Sequence, residues 1–186
     1  MLRKTLTKIS RRLRLFRDDT NASVTVEFAL MMPILFWAYG ASYVFFDGYR
    51  QSAINLKTAY TIGDVLSRET QAIDDTYIDG VYALQGLLIR TNASRSLRVS
   101  VVRWDEDTES FSLEWTATRG EIGDMSDQEA AGLQSKLPAM SDEDRVIVVE
   151  TWNTWTPPFT VGLPTAEFQD FVFTRPRFAP QLVWAS

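Results

Sequence analysis

The chain has 186 residues and a formal charge of −5, with neither cysteine nor histidine. Disulfides, thiolate metal sites and a cysteine nucleophile are thereby excluded, and so are the commonest general base and the commonest zinc ligand. The charge is unevenly placed: residues 1–22 hold seven Lys or Arg against two Asp, a net of +5, while residues 23–186 hold 12 basic against 22 acidic, a net of −10.

The basic leader places Leu2, Leu6, Ile9, Leu13 and Phe16 at helical spacing among its cations. This pattern predicts a juxtamembrane helix on anionic lipid. A nucleic-acid arm is the other reading of such a segment, but a membrane-length apolar run follows it directly, so no nucleic-acid partner is expected. From Phe28 to Phe46 there are 19 residues without a formal charge. As a helix they cover roughly 28 Å, close to the hydrocarbon thickness of a bilayer. Basic residues flanking such a span stay inside, so the expected topology is single-pass, N-terminus cytoplasmic and C-terminus outside. The run is too long for the apolar part of a secretory signal, and Phe45-Phe46-Asp47 makes a poor cleavage site. Pro33 and Gly40 are tolerated in a spanning helix, and Pro33 should kink it. Tyr43, Phe45, Phe46 and Tyr49 suit the outer interface, where amphipathic rings collect.

Helical periodicity continues past Asp47 through Ile54, Leu56, Ala59, Ile62, Val65 and Leu66, predicting one long helix from about Thr25 to Thr70. A second helix is expected over Asp75–Ile89, burying Tyr77, Val81, Leu84 and Leu88, with Asp74-Asp75 complementing its dipole. Leu97, Val99, Val101 and Trp104 then alternate with Arg98, Ser100 and Arg103. A polar turn at 105–110 and a second alternation of Phe111, Leu113 and Trp115 complete a hairpin. Ser126 with Glu129 has capping-box spacing and opens a short helix to about Leu137. Arg145–Trp152 reads as a central strand, 156–164 as a proline-rich loop, and Phe168–Phe173 as a last strand. Arg175 to Pro180 is irregular, Leu182-Val183-Trp184 pairs briefly, and Trp184 docks the tail. The fold class predicted is α+β: a long N-terminal transmembrane and amphipathic helix, then a small extracytoplasmic domain with an antiparallel sheet packed on helices. The expected organisation is a basic cytoplasmic leader (1–22), a transmembrane helix (23–46), an extracytoplasmic helical segment (47–92) and an α+β globular part (93–186).

Glu27 is the residue most worth a functional question. A carboxylate at the centre of a spanning helix costs roughly 2.5–3.5 kcal/mol, so acids in such positions are functional candidates. At the inner boundary the cost is smaller, and a snorkelling interfacial acid is the plainer reading. Other candidates are weak. Asp105 to Glu109 lacks the glycine and distal glutamate of a calcium loop and reads as a hairpin turn, and Asp142-Glu143-Asp144 as a charged loop. Trp104, Trp115, Trp152 and Trp155 could line a sugar-binding face but are more ordinary as core and sheet residues. Asn92-Ala93-Ser94 matches a glycosylation sequon. No phosphate loop, nucleophile elbow or metal-ligand pair is present, and a serine with an aspartate but no histidine is not a conventional triad, so neither catalysis nor a cofactor is expected.

The stretch Ala22-Ser-Val-Thr-Val-Glu27-Phe28-Ala-Leu-Met-Met-Pro33 resembles the opening of TadE-like proteins, minor pseudopilins of tight-adherence pilus systems. The resemblance is specific over about 12 residues and extends loosely to the architecture. It implies cleavage between Ala22 and Ser23 by a prepilin peptidase, and Glu27 and Phe28 as the assembly and recognition positions. The residue before the implied cut is Ala22 where the family usually has glycine. The resemblance further implies a bacterial inner membrane with a periplasmic C-terminus and, as partners, other pilins and minor pseudopilins, the pilus assembly platform and inner-membrane lipid. Cleavage would create an amine at Ser23, four residues before Glu27, able to pair with Glu27 of a neighbouring subunit in apolar surroundings. The alternative function is an uncleaved bitopic membrane protein with a periplasmic ligand-binding or scaffolding domain; a membrane-tethered hydrolase using carboxylates is a remoter one.

Overall fold

A computed structural model describes residues 20–89 and 93–185, with side chains from Val24 onward. The leader helix over Leu2–Phe16 and the Asn92 sequon lie outside the described residues. The elements are α1 (Thr20–Ser67), α2 (Asp75–Ile89), β1 (Arg95–Asp105), β2 (Ser110–Arg119), α3 (Asp127–Ala131) with a 3-10 turn at Gly132–Ser135, β3 (Arg145–Trp155) and β4 (Ala166–Thr174). The chain is α+β and divides into two compact units, Met1–Phe46 with Pro158–Gly162, and Asp47–Pro157 with Leu163–Ser186.

Helix α1 runs five residues further back than its apolar period suggests and ends three residues earlier than Thr70. Its end has a local cause. The Glu69 carboxylate accepts from the backbone N–H of Thr70 (3.0 Å) and Gln71 (3.1 Å), which settles those donors in a turn. The same two bonds hold the Glu69 carboxyl below its usual pKa. Asp74 then caps α2 by accepting from Tyr77 N–H at 2.8 Å.

The second unit is built on one antiparallel sheet of order β2-β1-β3-β4. Both faces of that sheet are covered. On one, Ile62 and Leu66 of α1 and Ile78 and Val81 of α2 pack on Leu97, Val99, Val101, Ile147 and Val149. On the other, Met125, Ala130, Leu133 and Leu137 cover Val102, Phe111, Val146 and Val148. The cover segment starts with the expected capping box: Ser126 N–H donates to Glu129 Oε2 (2.8 Å) and Glu129 N–H to Ser126 Oγ (3.3 Å). Only Asp127–Ala131 is α-helical, and the segment expected to continue to Leu137 tightens into the 3-10 turn.

Three expectations about faces are corrected. In α2 the buried residues are Ile78, Val81, Gln85 and Ile89, while Tyr77, Leu84 and Leu88 are only half-buried. The stripe is rotated because polar Gln85 belongs to it, with Nε2 donating to Ser96 O at 3.1 Å. In α1 the buried stripe runs through Asn55, Thr58, Ala59, Ile62, Gly63, Leu66 and Ser67, and Leu56 is exposed. In β2, Phe111 and Leu113 face one side of the sheet but Trp115 and Ala117 the other. The pairing register shifts between Val101 and Val102, so Val101 faces Trp115 and Val102 faces Leu113, leaving Glu114 as the extra residue of a bulge. That extra residue reverses the parity of the strand.

The C-terminal tail closes the first face. Ile73 and Trp184 form an isolated parallel bridge, and the Trp115 indole N–H donates to Leu182 O at 2.9 Å. The Trp115 and Trp184 rings lie 5.3 Å apart, so Trp184 docks the tail as expected.

Candidate functional site: an exposed apolar helix

The sequence-predicted site residues all fall on α1. Ala22 and Ser23 lie in its first turn, and Glu27 and Phe28 are exposed one turn further along. With a rise of 1.5 Å per residue, the Ser23 and Glu27 backbones are about 6 Å apart along the axis. The Ala22–Ser23 peptide bond is inside the helix, so a protease would have to unwind that turn to reach it.

From Phe28 to Phe46 the helix is uncharged and largely exposed, with Val44 the buried exception. Phe28, Leu30, Ile34, Leu35, Phe36, Trp37 and Tyr39 are all exposed, Phe28 to 61%. The most apolar 18-residue window of the helix has a mean hydropathy of 1.5, and 6% of it is buried within the protein. A core helix of the same composition would be mostly buried. Here apolar side chains are exposed around the helix, far beyond the patches monomeric soluble proteins carry. The helix is therefore long and apolar enough to cross a membrane, consistent with single-pass anchoring near the N-terminus.

The buried charge of the second unit is paired. Arg98 of β1 and Glu150 of β3 are cross-strand partners whose side chains are 9% and 4% exposed. Arg98 Nη2 lies 2.6 Å and Nε 2.7 Å from Glu150 Oε2. Nη1 donates to Gly123 O at 3.3 Å and lies 3.7 Å from Glu129, while the guanidinium stands 5.3 Å from the Trp152 ring centroid. Arg98 is thus occupied on several sides, and its chemistry is that of a structural ion pair. Glu129 has its carboxyl pKa lowered, first by the backbone bond from Ser126 and then by Arg98. On β4, burial pushes the Asp170 carboxyl upward, and its Oδ2 lacks a protein partner.

The acidic hairpin turn uses its carboxylates locally. Asp105 Oδ1 accepts from Asp107 N–H (3.0 Å) and Thr108 N–H (3.1 Å), and Asp142 Oδ1 accepts from Glu106 N–H (3.0 Å). Among the described residues no three Asp or Glu are grouped to hold a metal ion. Trp104, Trp115, Trp152 and Trp155 do not share a surface. Trp104 packs on Phe111, Trp152 under Arg98, Trp115 on Trp184, and Trp155 on Phe168 with its indole N–H on Asp47 (3.0 Å).

Comparison with protein-family models, with curated proteins and with solved structures found no match. The site is therefore defined by its own chemistry.

Proposed function

We propose that this chain is a TadE-like minor pseudopilin, anchored by α1 in the bacterial inner membrane and acting in assembly or initiation of a tight-adherence pilus. The observation that carries the reading is Glu27, an exposed carboxylate placed directly before 19 uncharged, largely exposed helical residues. It stands four residues after Ser23, the first residue of the mature chain if a prepilin peptidase cuts after Ala22. In a parallel assembly of such helices, a Glu27 side chain paired with a neighbour's Ser23 amine offsets two charges in apolar surroundings and sets the axial register. The partners are other pilins and minor pseudopilins, the assembly platform and membrane lipid, and the role is that of an assembly subunit and protease substrate rather than an enzyme. An uncleaved bitopic protein with a periplasmic scaffolding or ligand-binding domain is the second reading, favoured by the Ala22–Ser23 bond lying inside α1.

Glu27→Ala and Glu27→Gln test the pairing. Both variants should stay membrane-inserted through carbonate extraction yet lose co-purification with the pilus subunits. Wild-type co-purification of both would remove Glu27 from assembly.

A further inference from the structure

The loop between β3 and β4 contains the longest uncharged stretch outside α1. From Thr154 to Ala166 there is no Asp, Glu, Lys or Arg. Its centre, Pro158–Gly162, belongs to the same compact unit as the apolar helix. There Phe159 packs on Tyr43, with ring centroids 6.0 Å apart and planes at 53°. Phe159 and Val161 join Phe36, Tyr39, Gly40 and Tyr43 around an apolar groove of 530 Å³, and Phe159 remains 56% exposed.

This contact fixes a depth. Tyr43 precedes Asp47, the first charge after the span, by four residues, about 6 Å of helix. Whatever packs on Tyr43 is therefore below the end of the apolar run, within the 5–10 Å layer that interfacial segments occupy. The loop suits that layer. Pro157, Pro158 and Pro164 bring no backbone N–H, which lessens the cost of irregular backbone at a polar–apolar boundary. An aqueous loop gains nothing from an exposed phenylalanine beside a groove lined by aromatic rings, whereas acyl chains would cover both.

We propose that this loop is a second membrane contact, with Phe159 and Val161 entering the interface at the Tyr43 end of the span and phospholipid acyl chains filling the groove beside them. The inference rests on residues 28–46 being a membrane span and goes beyond it by assigning lipid contact to a segment more than 100 residues away in sequence.

The chain has no cysteine, so each introduced one is unique. Full-length Thr160→Cys and Leu35→Cys, each carrying an environment-sensitive thiol dye, would be reconstituted in phosphatidylethanolamine–phosphatidylglycerol vesicles. The vesicles would be doped with lipids bearing a nitroxide either high on the acyl chain or near its end. The Thr160 label should lose most of its emission to the shallow nitroxide and less to the deep one, and the Leu35 label should show the reverse. Adding Phe159→Asp should release the Thr160 label and leave the Leu35 label quenched. Quenching at Leu35 without quenching at Thr160 would overturn the loop contact while the span stands. No quenching at either would overturn the span itself. A Thr160 label shielded in proportion to protein density, yet insensitive to the nitroxides, would assign the groove to a second copy of the chain and overturn the lipid assignment. Unchanged Thr160 quenching after Phe159→Asp would overturn Phe159 as the inserted group.

Discussion

Two glutamates show how differently this chain treats a carboxylate. Glu150 is 4% exposed and sits within 2.7 Å of two Arg98 nitrogens, so its charge is matched inside the sheet's second face. Glu27 is exposed on an apolar helix. A buried pair is costly to break and often cheap to replace, because the penalty lies in the charge left alone. Glu150→Ala should therefore lower stability by about 3–5 kcal/mol. Arg98→Met combined with Glu150→Leu should recover most of that, although Gly123 O then loses a donor. Denaturant unfolding of the full chain in detergent micelles, followed by tryptophan emission, measures both. Equal losses in the single and double variants would contradict the desolvated-charge account. The pair was not legible in the sequence. Arg98 alternates with Leu97 and Val99 as a solvent-facing residue would, and strand periodicity does not reveal that residues 126–137 fold back over that face.

At the scale of elements, the periods located most of the structure. The boundaries expected for α2 match those observed, the hairpin forms where alternation placed it, and the central strand forms on the β-branched run 146–149; these strands and the last one extend a few residues beyond the expected ends. What period alone could not resolve was which face is buried. Gln85 and Asn55 occupy buried positions because hydrogen bonds from a neighbouring element meet them: Gln85 donates to Ser96 O, and Asn55 Oδ1 accepts from Asn153 Nδ2 at 3.3 Å. The bulge at Glu114 reverses β2 without any glycine to mark it. The buried stripe of α1 mixes the large Ile62 and Leu66 with small and polar residues, and its Gly63 faces Val172 and Thr174. A Cβ at Gly63 would meet those methyl groups at 3.7 and 3.8 Å, ordinary contact distances. Gly63→Ala should therefore stabilise the protein by about 0.5–1 kcal/mol through helix propensity. Gly63→Leu should cost about 1–3 kcal/mol by overpacking. Thermal melting of the two variants decides it, and a destabilising alanine would mean that the helix and sheet are closer than these distances state.

For the molecule as a whole, the membrane-length helix was the most legible feature, because length and missing charge need no tertiary context. Its lack of cover within the protein is what the structure adds. The Phe159–Tyr43 contact was not legible, since it joins residues 116 positions apart and loop residues carry no period. On the proposed function, this helix is an assembly anchor presented by leader removal, with Glu27 close behind the new terminus. The most direct measurement is the intact mass and N-terminal sequence of the protein purified from cells that contain its own prepilin peptidase. A chain beginning at Ser23 is expected. A chain still beginning at Met1 would contradict it in favour of a static anchor, and one beginning beyond Phe46 would make the apolar helix a discarded signal.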